Sequence, residues 1–321
     1  PDDVEYKPKG TSPLGSSKEL LERTESIFGK GWKPEIDTMD TFVCSSWYYL
    51  RYPNAHYDGP FDPEGLEWLP VDFYVGGAEH ATMHLLYARF ITKALRDVGY
   101  LKFDEPFLKL YHQGTITKDG AKMSKSKGNT VSPDEFIEKY GSDTFRAYLM
   151  FMGPYDEGGD WNDKGIKGIS KFLSRAYRLC NNVIEYDQSS EDLFILHSTI
   201  KSVTRDLDEM KFNTALSRLM EFVNYFFPKG ITESSKSIFI QLLSPLAPHI
   251  SEELWSNQNT QSVFTSSWPI FDSKYLEKDT MQIVVQVNGK LRANIEVDKT
   301  IEEDALIQLS KEKHALIRLS R

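Results

Sequence analysis

The chain has 321 residues but only two cysteines, Cys44 and Cys180, far apart and in different contexts. That excludes a disulfide framework and a CxxC zinc pair. It suits a reducing cytosol, so the protein is expected to be cytoplasmic. No apolar run is long enough to span a bilayer and no signal peptide is visible, so no membrane partner is expected. The serines of Cys44–Tyr49 lack a G-x-S-x-G elbow, which argues against serine-hydrolase chemistry. Positive charge is also short: 38 Lys and Arg stand against 47 Asp and Glu, for a net charge of -9. Such a chain does not coat nucleic acid nonspecifically, and any phosphate or RNA contact must come from a local basic patch. No internal repeat or low-complexity tract is present.

What is present supports ordinary cores. Hydrophobic residues make up 40% and aromatics 13%, and the length suits about two domains of ~150 residues each. Residues 1–39 are mixed and weakly patterned, and read as a linker. Val71–Gly77 is a short apolar run closed by two glycines, which predicts a buried strand. A helix should follow, with Met83, Tyr87, Phe90, Ile91 and Leu95 on one face and Gly99 as the stop. Asp119-Gly120 marks a hairpin turn. Ser132 is a predicted N-cap, with Pro133 in the first turn, Glu135 completing a capping box and Gly141 closing that helix. From Lys164 the period is helical. One stripe is Ile166, Ile169, Phe172, Leu173, Tyr177, Cys180 and Val183. A second is Leu193, Leu196, Ile200, Val203 and Leu207. A third is Ala215, Leu216, Leu219, Phe222, Val223 and Phe226. These predict a helical bundle. Ile283–Val297 returns to strand period around Asn288-Gly289, a second hairpin that opens a small α+β tail.

Three stretches carry chemistry. Lys118, Lys122, Lys125 and Lys127 lie close together with only Asp119 opposing them. Gly120 and Gly128 loosen the backbone, and Ser124 and Ser126 add hydroxyls. This is either a mobile clamp on a polyphosphate or a solvated turn, and composition alone favours the turn. Gly76-Gly77-Ala78-Glu79-His80, continuing to His84, follows the predicted strand. The glycines admit a ligand close to the backbone, and Glu79 is placed to accept from ribose hydroxyls. His80 and His84 are four apart, hence on one helical face. They are pocket walls, satisfied core residues or, with Glu79, metal ligands; the absence of an HExxH pattern speaks against metal. In Cys44–Tyr49 most aromatics suit a core, and Ser45 or Ser46 is free to line a pocket.

Together, "KMSKS" (Lys122–Ser126), "GGAEH" after a strand and "SPLAPHISEELW" (Ser244–Trp255) resemble the class I aminoacyl-tRNA synthetases of the aliphatic subgroup. "DTMDTFVCSSWYYLRY" (Asp37–Tyr52) and "LPVDFYVGGAEHATMHLLYARF" (Leu69–Phe90) resemble the leucine-specific members, rather than the isoleucyl or valyl ones. "FNTALSRLMEFVN" (Phe212–Asn224) is similar to the anticodon-binding bundle, and the "VQVNGKLR" hairpin to the start of a C-terminal tRNA-binding domain. The resemblance spans about residues 6–321.

The resemblance implies an α/β plus all-α architecture. Residues 1–39 would be a connective remnant and 40–163 the second half of a Rossmann-type catalytic domain. Residues 164–275 would be the anticodon-binding bundle, and 276–321 the start of the C-terminal domain. It implies ATP-dependent activation of leucine and transfer to tRNA-Leu, with Mg²⁺ accompanying ATP. Lys122 and Lys125 would be catalytic. Gly76, Gly77, Glu79, Met123, Ser124, Lys125 and Ser126 would contact ATP, and Ser45, Tyr74, His80, His84 and Gln113 would contact leucine. With no cysteine in residues 1–39, no zinc is expected. No His-Ile-Gly-His signature occurs, and the chain starts at Pro1. The first half of the catalytic domain and the editing domain are therefore expected to lie elsewhere, as a partner without which this chain is inactive. The alternatives are a noncatalytic tRNA-binding subunit of a split synthetase, or an isoleucyl- or valyl-type synthetase.

Overall fold

The Ser17 hydroxyl accepts a hydrogen bond from Leu20 N–H and so starts helix α1, Lys18–Phe28, inside the stretch expected to be a linker. The side-chain oxygen of Ser17 satisfies an N–H that has no partner within the helix. The computed structural model describes every residue except 5, 6, 8, 9, 11, 38, 278, 279, 288, 289, 299, 300, 320 and 321. It separates into two units, Pro1–Gln113 and Gly114–Arg321.

In the first unit, Asp40 caps a short helix α2, Thr41–Ser45. Strand β1, Tyr74–Gly76, is followed by helix α3, His84–Asp97, and strand β2, Leu110–His112. β1 and β2 pair in parallel, with Tyr74 opposite Leu110 and Gly76 opposite His112, so this is a strand–helix–strand crossover. The strand is shorter and wetter than expected: it begins at Tyr74, and Val75 is exposed. The buried face of α3 is Leu85, Ala88 and Thr92, not the expected stripe. Phe90 is exposed. Ala88 and Thr92 are small and allow close packing, and Thr92 bonds the buried Tyr49 phenol at 2.5 Å. Tyr49, Leu50, Phe61 and Leu101 form the centre of this unit's apolar core.

In the second unit, β3 (Thr115–Lys118) and β4 (Ala121–Lys122) form the hairpin expected around Asp119-Gly120. Both turn residues have positive φ, 55° and 70°, the conformation that matches strand twist in a two-residue hairpin. Helices α4 (Pro133–Tyr140) and α5 (Ser142–Phe151) follow, then strand β5, Gly158–Trp161. Ser132 is the N-cap residue of α4, but its side chain makes no capping bond, so the expected capping box with Glu135 does not form. Strand β5 pairs in parallel with β3. The backbones meet closely there: a Cβ on Gly114 would lie 2.0 Å from Gly158 N.

The bundle comprises α6 (Ile166–Cys180), α7 (Ser190–Asp208), α8 (Phe212–Phe226), α9 (Glu233–Leu243) and α10 (Pro248–Ser256). The third expected stripe is wholly buried on α8. On α6 the stripe is buried except Tyr177, which is exposed, while Val183 lies beyond the helix and bridges to Ile231. On α7 Leu196, Ile200 and Val203 are buried, and Leu193 and Leu207 are half-buried. One apolar core joins these helices, and Ile116, Met123 and Phe136 pack against it. Strands β6 (Thr280–Val287) and β7 (Lys290–Asp298) pair antiparallel ahead of α11, Glu303–Leu319. The expected turn residues Asn288 and Gly289 lie outside the described residues.

Candidate functional site

At the C-terminal end of β1 the first unit opens a cleft of about 280 Å³. Tyr74, Gly76, Gly77, His80, His84 and Gln113, all expected site residues, line it beside Val75, Leu85 and Leu110. The sequence puts them there because β1 delivers Tyr74 and the glycines. A short 3-10 turn, Ala78–Thr82, then carries His80, and α3 begins at His84. The two histidines therefore do not share one helix, as their spacing suggested. Their rings still meet edge to face, with centroids 6.4 Å apart. A Cβ on Gly76 would meet nothing within 4 Å, so the protein's own packing there leaves space for a larger residue.

A chain of hydrogen bonds fixes the wall of this cleft. The phenols of Tyr48 and Tyr74 share a bond of 2.7 Å, and the Tyr74 phenol lies 2.7 Å from His84 Nε2. Tyr74 stacks on Phe107 at 3.7 Å between ring centroids. Phe42 sits 6.3 Å from His80, edge to face. Burial, with the neighbouring His80 second, lowers the His84 pKa, and burial also pushes the Tyr74 phenol up. Both groups are thus held neutral near pH 7. The Nδ1 atoms of His80 and His84 are buried without a hydrogen-bond partner among the described residues. Such atoms are uncommon in folded proteins and mark a place where a bound molecule can supply the partner.

Ser45 and Glu79 are not among the cleft's lining residues. The Ser45 hydroxyl donates to Phe42 O at 3.3 Å, and Ser46 is fully buried with its hydroxyl on Val43 O. Glu79 is exposed, its carboxylate folded back over Gly77, where a Cβ would lie 2.3 Å from it. Sequence reasoning passed over Tyr48 as core; its phenol proves to be the far end of the Tyr74–His84 chain.

The lysine loop belongs to the second unit and is described by itself. Lys122 ends β4, and Lys125–Lys127 form one 3-10 turn. Ser124 N–H donates to Asn129 Oδ1 at 2.8 Å, and Asn129 Nδ2 donates to Lys122 O at 3.3 Å. The hydroxyls of Ser124 and Ser126 share a bond of 2.8 Å. Met123 turns away from the lysines and packs on the bundle core. Lys122, Lys125 and Lys127 are exposed, and no ion pair among the described residues involves them or Lys118. The hairpin feeding the loop is pinned by Asp160 of β5, which accepts from Thr117 Oγ1 at 2.6 Å and Gly120 N–H at 2.9 Å. No motif in Gly158–Trp161 announced this role.

Both cysteines are free, and Cys44 is exposed. Cys180 is buried, and burial pushes its thiol up to about 12, far from the reactive thiolate range. Among the described residues no cluster of three or more His, Cys, Asp or Glu is arranged to hold a metal ion, and no helix is long and apolar enough to cross a membrane.

The chain is similar to known proteins. Residues 15–161 match the family described as tRNA synthetases class I (I, L, M and V). Residues 193–307 match the anticodon-binding domain of tRNA ligase. A leucine–tRNA ligase of Clostridium perfringens (strain ATCC 13124) is 51% identical over 330 aligned positions, covering 95% of this chain and 40% of that protein. One from Clostridium beijerinckii is 50% identical, covering 98% of this chain and 42% of that protein. The chain thus spans about 40% of the length of the curated relatives it matches. Among solved structures, the Agrobacterium radiobacter K84 agnB2 LeuRS, in a ternary complex with tRNA and LeuAMS, superposes with a TM-score of 0.82 at 34% identity. That match covers 100% of this chain and 45% of the other.

Proposed function

We propose that this chain, which belongs to the class I tRNA synthetases, supplies a large part of a leucine–tRNA ligase. On this reading residues 40–163 belong to the catalytic domain. Residues 164–275 form the anticodon-binding bundle, and 276–321 begin a further tRNA-binding module. The observation that carries it is the cleft beside β1, whose lining gathers six residues expected for leucine and ATP. The leucine side chain enters between Tyr74, His80 and His84, with Gln113 nearby. The stacked and hydrogen-bonded rings give the cleft a fixed shape, which is how an apolar pocket separates leucine from isoleucine.

The reaction joins the leucine carboxylate to the α-phosphorus of ATP and expels pyrophosphate. Charge grows on the phosphate oxygens as it proceeds. Lys125, with Lys122, meets that charge; an exposed lysine without a carboxylate partner reaches a phosphate without first breaking an ion pair. Gly76, Gly77 and Glu79 serve the adenosine, with the Glu79 carboxylate accepting from the ribose hydroxyls. The loop's charged groups are cations, which suit a polyphosphate and not a bare metal ion. The Mg²⁺ of this chemistry therefore belongs with the nucleotide, where it neutralises phosphate charge. The second ligand is tRNA-Leu, held by the bundle.

Leucine-dependent exchange between ATP and pyrophosphate tests this. The protein to assay is a chimera in which this chain replaces the matched 40% of the Clostridium perfringens relative. Leucine should support exchange and isoleucine and valine should not. A folded chimera that shifts tRNA-Leu in a gel but activates no amino acid would leave only the binding role. Preference for isoleucine or valine would reassign the pocket.

A further inference from the structure

His197, Lys201 and Thr204 lie on α7, and at 100° per residue they fall within an arc of ~60°. The chain that leaves the bundle runs back along that face and meets it turn by turn. Trp268 Nε1 donates to the Thr204 hydroxyl at 2.9 Å. Lys201 Nζ lies over the Phe271 ring, 5.5 Å from its centroid. The Asp272 amide donates to His197 Nδ1 at 3.0 Å. The Tyr275 ring stacks on the same imidazole, with centroids 4.6 Å apart. At its start the stretch is tied to α9, where Gln241 Nε2 donates to Ser266 Oγ at 3.0 Å and to Ser267 O at 2.9 Å. None of residues 266–276 is buried, and Ile270 is 86% exposed. A few polar bonds and ring faces hold this stretch, with no core of its own, so it belongs to the segments that open locally before the fold does.

The His197 contact is one that a proton breaks. A backbone N–H only donates, so Nδ1 is the unprotonated nitrogen and the neutral ring carries its proton on Nε2. A protonated ring would set one N–H against another. The Asp272 carboxylate is already engaged: Oδ2 pairs with Lys274 Nζ at 3.0 Å, and Oδ1 accepts from Lys274 N–H at 3.0 Å. Burial lowers the His197 pKa. Two charged groups of the strap also act on it, Asp272 favouring the proton and Lys274 opposing it. On α7 itself the cation one turn on, Lys201, faces Phe271.

We infer that residues 266–276 are a strap released by protonation, with His197 as its catch, which sets the length of the tether between the bundle and the β6–β7 pair. Strand β6 begins at Thr280, and an opened 266–276 stretch can extend to at most ~40 Å. This goes beyond the ligase reading and does not depend on it. With the strap open, the imidazole takes up its proton near ~6.5; with the strap closed, it resists until lower pH. The strap is thus fully held above about pH 6.5. Below that its opening increases by up to about tenfold per pH unit, and levels off under the closed-state pKa.

The experiment is hydrogen exchange of the whole chain at pH 7.5, 6.5 and 5.5, read as protection factors against the intrinsic rate at each pH. Protection of the Asp272 and Tyr275 amides should fall by about three- to tenfold from pH 7.5 to 5.5, while α8 amides keep theirs. A ¹⁵N titration of the unmutated chain should find the His197 proton on Nε2 at pH 7.5, a readout that needs no variant to fold. His197→Phe keeps a ring face for Tyr275 but accepts no hydrogen bond, so its strap should be less protected already at pH 7.5 and indifferent to pH. No fall, a fall shared by α8, a fall that persists in His197→Phe, or a proton on Nδ1 at pH 7.5 would each overturn the strap, and none of them touches the assignment of the leucine cleft.

Discussion

The Tyr74 phenol and His84 Nε2 lie 2.7 Å apart, in a wall where the other imidazole nitrogen has no partner among the described residues. A protonated His84 would carry an N–H at Nδ1 with nothing to accept it, consistent with its lowered pKa. The sign of the pH effect follows. The unfolded imidazole takes up its proton near ~6.5, and the folded one resists until lower pH. Stability of this unit should therefore fall as pH drops through about 6.5, and level off only below the folded pKa. His197, in the other unit, is also lowered by burial, so the readout must be local. The protection factors of α3 amides, taken against the intrinsic exchange rate at each pH, should fall between pH 7 and 5, and His84→Gln should flatten that dependence. An unchanged slope would show that His84 does not control it.

The Tyr48–Tyr74 bond makes a different prediction. Tyr48→Phe removes one end of the chain and leaves Tyr74 its histidine, so it should cost ~0.5–1.5 kcal/mol. Tyr74→Phe leaves both the Tyr48 phenol and His84 Nε2 without their partner and should cost more, about 2–3 kcal/mol. In the chimera Tyr74→Phe should also raise the leucine KM. Equal losses in urea unfolding would mean that the chain is not a connected unit.

Lys125→Ala in the chimera should slow adenylate formation by ~10²–10³-fold, the loss expected for one preorganised donor to a developing charge. The leucine KM should barely move, because the contact forms with the transition state. Single-turnover adenylation at the unmutated rate would remove Lys125 from the mechanism.

Asp160→Ala should free the hairpin without melting the bundle. The carboxylate holds Thr117 and the Gly120 amide, and these bonds lower its pKa. Its contribution is therefore present above about pH 4 and is lost as pH falls through the folded pKa. Amides of Lys118–Lys122 should exchange faster in the variant while those of α8 keep their protection. Faster exchange throughout α8 would mean that β5 is part of the bundle's folding unit.

The helices of the bundle were legible because each buries one face, and burial writes a 3.6-residue period into the sequence. α8 follows its stripe completely. α3 follows its stripe only in part: its fully buried face is Leu85, Ala88 and Thr92, Met83, Tyr87, Ile91 and Leu95 of the stripe are half-buried, and Phe90 is exposed. β5 was invisible for another reason. Its four residues pair with a strand more than forty positions earlier, and Gly158 and Gly159 were chosen by close backbone approach, which leaves no apolar pattern. The cleft was legible through Gly76, Gly77, His80 and His84. Tyr48 was hidden because a phenol beside Tyr49 and Trp47 looks like any other core aromatic.

Met123 stands between two lysines of the loop, yet its side chain is seated against the bundle's apolar core. The loop is thus moored. Reaching outward for a phosphate must either draw that thioether out of the core, at a cost on the order of 1 kcal/mol for a half-buried side chain, or drag the adjoining helices along. In the first case the mooring sets a threshold that a weakly held nucleotide does not cross. In the second, a load on the helices becomes a tug on the lysines.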